Sequence, residues 1–352
     1  MAGNRIAVVG AGIIGCLVAR ELAAREPQAA ITVLDRDAIG CGASRRSAGL
    51  HLPRGAGERL RHMTRYSQDY YEELGRQRPS LPIHPTDVSV VSATADDRAI
   101  RATYLDGARP VRTGHQDLPD FGIPQDAAVW GVDGGHRTDV HGLVRALARD
   151  LRQRADFHEG LGVTGIEPLA DRVVLRLSTG DTLTADRVVL APGPWTADPA
   201  LAPFVPPSGI RVKRVVALHI ERSPGEGDGT VVFQDEDAFL LPLHERGHWL
   251  YSFTRTEWDV DPGTAARGLS AADVEEAHDS LRRWAPELVK YRASGRVFCD
   301  AYSAQREPVV QVADDAGRVV FAGAANGCGY RLAPAIAREA VDLVLNMAED
   351  HR

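Results

Sequence analysis

Apolar positions along this chain change period in a way that marks out its elements. Residues 6–9 form a short continuous apolar run; after a glycine turn, Ile13, Ile14, Leu17, Val18 and Leu22 recur at helical spacing, and a second apolar run follows at 30–34. This order predicts a strand, a helix packed on it, and a second, parallel strand. A second helical pattern begins after Asp139, a suitable cap, and carries Leu143, Val144, Leu147 and Leu151 on one face. Strand-like runs follow at 163–166, 173–177 and 182–190, the last two joined by the turn Thr179, Gly180, Asp181. Near the C-terminus, 318–322 reads as a strand, 323–330 as a glycine-rich loop, and Pro334 as the first residue of a helix with Ile336, Ala340, Val341 and Val344 on one face.

Two intervening stretches have a different rhythm. Residues 84–138 contain short β-like runs such as 88–91, and 208–299 contain 212–220 and a hairpin of 238–243 and 248–254 around Glu245, Arg246 and Gly247. The fold class read from this is α/β. A Rossmann-type nucleotide-binding lobe is built from 1–83, 139–207 and 300–352, and a mostly antiparallel β-sheet substrate lobe, itself α+β, is inserted into it as 84–138 and 208–299. Interleaved lobes leave a cleft between them, the usual place for a small substrate.

Composition narrows the function classes. The chain has 352 residues and a net charge of -7, from 48 acidic and 41 basic residues, which gives no footprint for nucleic acid or an anionic membrane surface. Cys16, Cys41, Cys299 and Cys328 are scattered, without the spacing of a metal site. The N-terminus runs directly into a strand and no apolar segment reaches membrane-spanning length, so the expectation is a cytoplasmic protein with no metal and no membrane span. Lys213 and Lys290 are its only lysines.

The glycine turn carries the first chemistry. Gly10 makes the turn, Gly12 admits backbone N–H groups, together with those of Ile13 and Ile14, to a diphosphate, and Gly15 lets the helix lie on the strand. Asp35, twenty residues beyond Gly15 and followed by Arg36, is placed to accept hydrogen bonds from a ribose. A second element, from Gly40 to His51, offers Ser44, Arg45, Ser47, Ala48, Gly49 and Leu50 at a short helix start, suited to a second anion contact. The loop from Ala324 to Pro334 combines Gly327 and Gly329, which let backbone lie against a flat ring, with a helix start able to stabilise negative charge on an isoalloxazine. A nicotinamide dehydrogenase would leave the second and third elements without a task. An aromatic-ring flavin monooxygenase would carry an acidic Gly-Asp motif where this chain has Asn326, Gly327.

Taken in order, GxGxxG, ASRRSAG at 43–49, 134–139 leading into a helix, VTGIE at 163–167, VVLAPGPWT at 188–196 and the terminal GCGYRLAPAIA resemble the family of D-amino-acid oxidase, glycine oxidase and monomeric sarcosine oxidase. The resemblance implies FAD bound in extended, non-covalent form, with Val163 against the adenine, Ala191, Gly193 and Trp195 in a second cofactor loop, and Gly327, Gly329, Tyr330, Arg331 and Leu332 beside the ring. It implies a substrate carboxylate held by Arg331, with Arg54 or Arg306 as its second partner. Tyr251, Tyr302 and His51 are further candidates to line the pocket. Cys299 lies close to the position where some members attach flavin, and Leu250 falls where some carry an oxygen-activating lysine. The implied reaction is oxidation of the C–N bond of an amino acid or N-substituted glycine by hydride transfer to flavin N5. Imine hydrolysis then gives an oxo acid such as glyoxylate and an amine, with oxygen or another electron acceptor as the second substrate. Alternatives are a D-amino-acid dehydrogenase with a non-oxygen acceptor and a flavin-binding subunit without turnover.

Overall fold

The computed structural model describes residues 4–207, 209–265 and 268–349; the outermost residues of the two terminal segments, and residue 208 at the start of the second insertion, lie outside them. A six-stranded sheet runs in the order Val309–Val312, Val319–Gly323, Arg187–Leu190, Arg5–Val9, Ala30–Leu34, Ala155–His158. Its strands pair in parallel except at the edge, where Val309–Val312 is antiparallel. Alternation of side chains gives each face its own core: Ile6 and Val8 meet the helices Ile13–Arg25, Val140–Leu151 and Gly329–Glu349, whereas Ala7, Val9 and Leu34 meet the small antiparallel sheet Val163–Pro168, Val173–Leu177, Thr182–Ala185. The result is the three-layer nucleotide-binding arrangement expected from the sequence.

Two expectations change in detail. The run at 182–190 is two strands, because at Asp186 the chain leaves the small sheet for the large one. The Asp186 carboxylate takes both the backbone N–H and the guanidinium of Arg5, and its own N–H bonds to the Arg5 carbonyl at 2.8 Å. The last helix begins at Gly329, five residues before Pro334. Proline cannot donate to the carbonyl four residues back. Here that carbonyl, on Tyr330, accepts the Tyr71 hydroxyl at 2.7 Å, and the next N–H, on Ala335, is taken by the Ser67 hydroxyl at 3.3 Å. The helix Glu58–Gln77 thus supplies the partners that let a proline sit inside the last helix.

The inserted segments build one eight-stranded sheet, ordered Ala293–Tyr302, Arg211–Ile220, His248–Trp258, Ala238–Leu243, Thr230–Phe233, Val88–Ser92, Ala128–Val132, Val111–Thr113. The two insertions meet where Thr230–Phe233 pairs in parallel with Val88–Ser92, the one parallel junction in this otherwise antiparallel sheet. A division of the chain between 299 and 300 falls inside Ala293–Tyr302, which pairs with Arg211–Ile220 along its whole length. The helix Ala271–Trp284 covers one face of this sheet, and the opposite face looks toward the nucleotide-binding layers. No helix among the described residues is long and apolar enough to cross a membrane.

Candidate active site

One cavity of about 1010 Å³ runs from the glycine turn of the first strand to the open face of the eight-stranded sheet. That is the upper end of the range for small-molecule sites, enough for a dinucleotide and a small substrate together. At its nucleotide end, Gly10 has φ +105°, and a Cβ there would stand 2.3 Å from the Ala191 carbonyl oxygen; a Cβ on Gly15 would stand 1.8 Å from the Gly10 oxygen. Both contacts are with backbone, so the crossing of strand, helix and the 191–195 loop excludes any side chain. Asp35 accepts the N–H of Ala11 at 2.7 Å and that of Asp37 at 2.9 Å, which fixes its carboxylate at the cavity wall. Burial raises its pKa, against those two hydrogen bonds. The Arg36 guanidinium lies 4.1 Å from the centre of the Trp195 ring, making a flat wall beside Val163.

The second glycine element docks on the first. Ser44 Oγ accepts the N–H of Ile13 at 3.0 Å, so this hydroxyl caps the first helix from outside. Ser44, Ser47, Ala48, Gly49 and Leu50 all line the cavity, as do Gly12, Ile13, Ile14, Ala191, Gly193, Gly327, Gly329, Tyr330 and Leu332. Arg45 is exposed and outside the lining, and Gly15 acts one layer back by packing. The Tyr330 hydroxyl is held by His136 Nε2 at 2.8 Å and by Thr138, which anchors the terminal loop.

At the sheet end the structure sorts the remaining candidates. Arg331, Arg54, Arg306 and Tyr302 line the cavity. Tyr251 does not: along His248–Trp258 alternate residues face opposite ways, so Ser252 reaches the cavity while Tyr251 turns to the covering helix and bonds Ser280 at 2.6 Å. Leu250 packs against Ala48 and Leu50 in an apolar patch. His51 is fully buried behind the wall, its ring stacked on His136 at 4.4 Å. Burial first, then the charges of His136 and Arg331, hold it well below its ordinary pKa. Cys299 is buried outside the lining, whereas its neighbours Phe298 and Asp300 face the cavity; burial pushes the Cys299 thiol up to about 11.

Arg331 is half-buried, and its Nη2 donates to Cys328 Sγ at 2.9 Å; among the described residues no carboxylate pairs with it. Arg54 makes a long contact of 3.9 Å to the exposed carboxylate of Asp237. Both guanidinium charges act on one group that sequence reading missed, Tyr104, which is fully buried with no hydrogen-bond partner for its hydroxyl among the described residues. Burial raises the Tyr104 pKa, and the charges of Arg54 and then Arg331 oppose that rise. Arg54 is further held by the isolated bridge to Tyr104 and by Thr64, whose hydroxyl donates to the Arg54 carbonyl at 3.0 Å. Sequence reading also missed Lys213, Phe239, Trp258, Phe298 and Asp300, all cavity-lining residues of the inserted sheet. Among the described residues no group of three or more histidine, cysteine or acidic side chains could hold a metal ion.

Comparison with known proteins agrees with this geometry. The chain is similar to glycine oxidase of Pseudomonas aeruginosa, 26% identical over 302 residues that cover 81% of this chain and 78% of that protein. It is also similar to 4-methylaminobutanoate oxidase (formaldehyde-forming) of Paenarthrobacter nicotinovorans, 27% identical over 70% of this chain but only 31% of that larger protein. The crystal structure of glycine oxidase from Bacillus cereus superposes with a TM-score of 0.79 at 16% identity, covering 97% of this chain and 95% of that one, which establishes the shared fold. The pattern of the FAD dependent oxidoreductase family matches residues 5–343, nearly the whole described chain. The glycine turn closed against Ala191, the second element capping the first helix and the inserted sheet above them are thus the parts of an FAD site, and this chain belongs to the FAD dependent oxidoreductase family.

Proposed function

We propose that this FAD-dependent amine oxidoreductase oxidises the C–N bond of an α-amino acid or N-substituted glycine, with Arg331 and Arg54 holding the substrate carboxylate. The observation that carries this reading is that Arg331 and Arg54 line one cavity, where Arg331 has no carboxylate partner among the described residues and Arg54 only a 3.9 Å contact to an exposed one. A half-buried arginine without a counter-ion is costly, and a carboxylate ligand making two parallel hydrogen bonds offsets that cost. The charge of Arg331 acts with that of Arg54 on Tyr104, whereas that of Arg306 acts on Lys213, so Arg54 is the better second partner.

When bound, FAD supplies the two-electron acceptor for hydride from the substrate α-carbon. The protein's own part is to orient and to exclude water. Arg331 and Arg54 fix the carboxylate, and Phe298, Phe239 and Val232 close an apolar side of the cavity. The nitrogen lone pair assists as the α-hydrogen leaves with its electron pair; the imine then takes up water and releases an oxo acid and an amine or ammonia. Oxygen or another acceptor completes the cycle. Non-covalent FAD is supported by the orientation of Cys299 away from the cavity.

Product analysis tests this reading. Turnover of sarcosine or glycine should release glyoxylate in equal amount to methylamine or ammonia, whereas formaldehyde from sarcosine would show oxidation of the methyl carbon and refute the proposed orientation.

A further inference from the structure

The proposed carboxylate clamp uses two of the cavity's cations and leaves two unexplained. Lys213, on the open face of the inserted sheet, is half-buried, and its Nζ lies 4.7 Å from the centre of the Trp258 ring and 5.5 Å from that of Tyr302. It has no hydrogen bond or ion pair among the described residues. Burial lowers its pKa; Asp237 opposes this, and the charge of Arg306 adds to it. Arg306 is exposed at the cavity wall, likewise without an ion-pair partner among the described residues. Its backbone has φ +58°, the left-handed conformation that side-chain-bearing residues rarely adopt. The loop holds it there through the Arg306 N–H to the Ser303 carbonyl at 3.1 Å and the Ser303 hydroxyl to the Glu307 carbonyl at 2.6 Å.

Two cations that line one cavity without ion-pair partners among the described residues are favourable places for an anion, and aromatic faces compensate the Lys213 ammonium only in part. Asp300 stands opposite Lys213 on the neighbouring strand and lines the same cavity, but burial pushes its carboxyl up to about 7 and no ion pair joins the two among the described residues. Asp237 sits on a turn with φ +48°, 3.9 Å from Arg54 and within electrostatic reach of Lys213. One exposed carboxylate thus acts on both Arg54 and Lys213 and forms a close ion pair with neither.

Resting on the reading of the site as an amino-acid oxidising one, we propose that its substrate carries a second carboxylate, received by Lys213 and Arg306 while the first is held by Arg331 and Arg54. The substrate class is then an amino dicarboxylate or an N-(carboxyalkyl)glycine, and Asp237 is the resident counter-ion that such a substrate displaces. A monocarboxylate of similar size leaves Lys213 and Arg306 uncompensated and binds less tightly.

The test uses holoenzyme and small acids without an amine: acetate and propionate against malonate, succinate and glutarate, with binding followed by perturbation of the flavin visible spectrum. At least one dicarboxylate is expected to bind about tenfold or more tightly than either monocarboxylate, the effect of one additional charge-assisted contact. Lys213→Met should reduce the ratio of dicarboxylate to monocarboxylate affinity by about tenfold, and Arg306→Gln, at an exposed site, should reduce it in the same direction. Equal affinities for the two classes, or a ratio that neither substitution changes, would overturn the proposal. Selective dicarboxylate binding with no amino acid able to bleach the flavin would sustain this subsite and refute the oxidase reading, so the two fail separately.

Discussion

Removing the guanidinium of Arg331 isolates the interaction on which substrate binding rests. Methionine keeps the unbranched apolar stem, and among the described residues the lost head bonds only Cys328 Sγ, so Arg331→Met leaves none of their carboxylates unpaired. Hydrogen bonds to charged partners contribute about 1.5–3 kcal/mol each, and two to one carboxylate from a half-buried group together contribute about 2–4 kcal/mol. That corresponds to a loss of about 30- to 1,000-fold in kcat/KM for flavin reduction by the best carboxylate-bearing amine. Arg331→Lys keeps the charge without the fork and should fall between, about tenfold below wild type. The assay is anaerobic stopped-flow bleaching, with the ratio of flavin to protein absorbance confirming that FAD is still bound. A methionine variant that holds its flavin and reacts within about threefold of wild type would refute the clamp. So would an equal loss toward an amine that lacks the carboxylate.

Three further outcomes follow from the geometry. Gly10→Ala places a Cβ against the Ala191 carbonyl at φ +105°, so the variant should purify without yellow flavin and melt several degrees lower; normal flavin content would contradict the turn geometry. Tyr71→Phe strips the partner from the Tyr330 carbonyl freed by Pro334, costing about 1–2 kcal/mol, read as a lowered Tm and weaker flavin retention; an unchanged Tm would show that the bond carries no net stability. Burial pushes the carboxyl of Asp300 up to about 7, so between about pH 4 and pH 7 the folded protein keeps a proton that the unfolded chain releases, and stability falls as pH rises through that window. Asp300→Asn should flatten that part of the Tm-against-pH curve, and an unaltered slope would show that Asp300 is not the group responsible.

The two ends of the chain were legible because their constraints are local. A glycine that must turn, a glycine that must pack and a carboxylate at a strand end are spaced by the geometry of one strand–helix–strand unit, so Gly10, Gly15 and Asp35 stand where their spacing puts them. The start of the last helix was misplaced because Pro334 is accommodated by Tyr71 and Ser67, which lie more than 250 residues away in sequence and leave no mark beside it. The inserted lobe was legible as β but not as a surface. Tyr251 and Ser252 differ by one position in a strand, and only the partner strands and the covering helix decide which of them reaches the cavity. Lys213 left one readable signal, as one of only two lysines in the chain. Tyr104 left none, since its burial and its bridge to Arg54 arise only from the tertiary fold.

The most direct measurement is the anaerobic visible spectrum of purified holoenzyme before and after addition of glycine, sarcosine, N-(carboxyalkyl)glycines, and D- and L-amino acids including the acidic ones. The account predicts an oxidised flavin spectrum that one class of amine bearing a carboxylate bleaches, with no change on adding the corresponding amine without a carboxylate. Bound flavin that none of these amines reduces would contradict it.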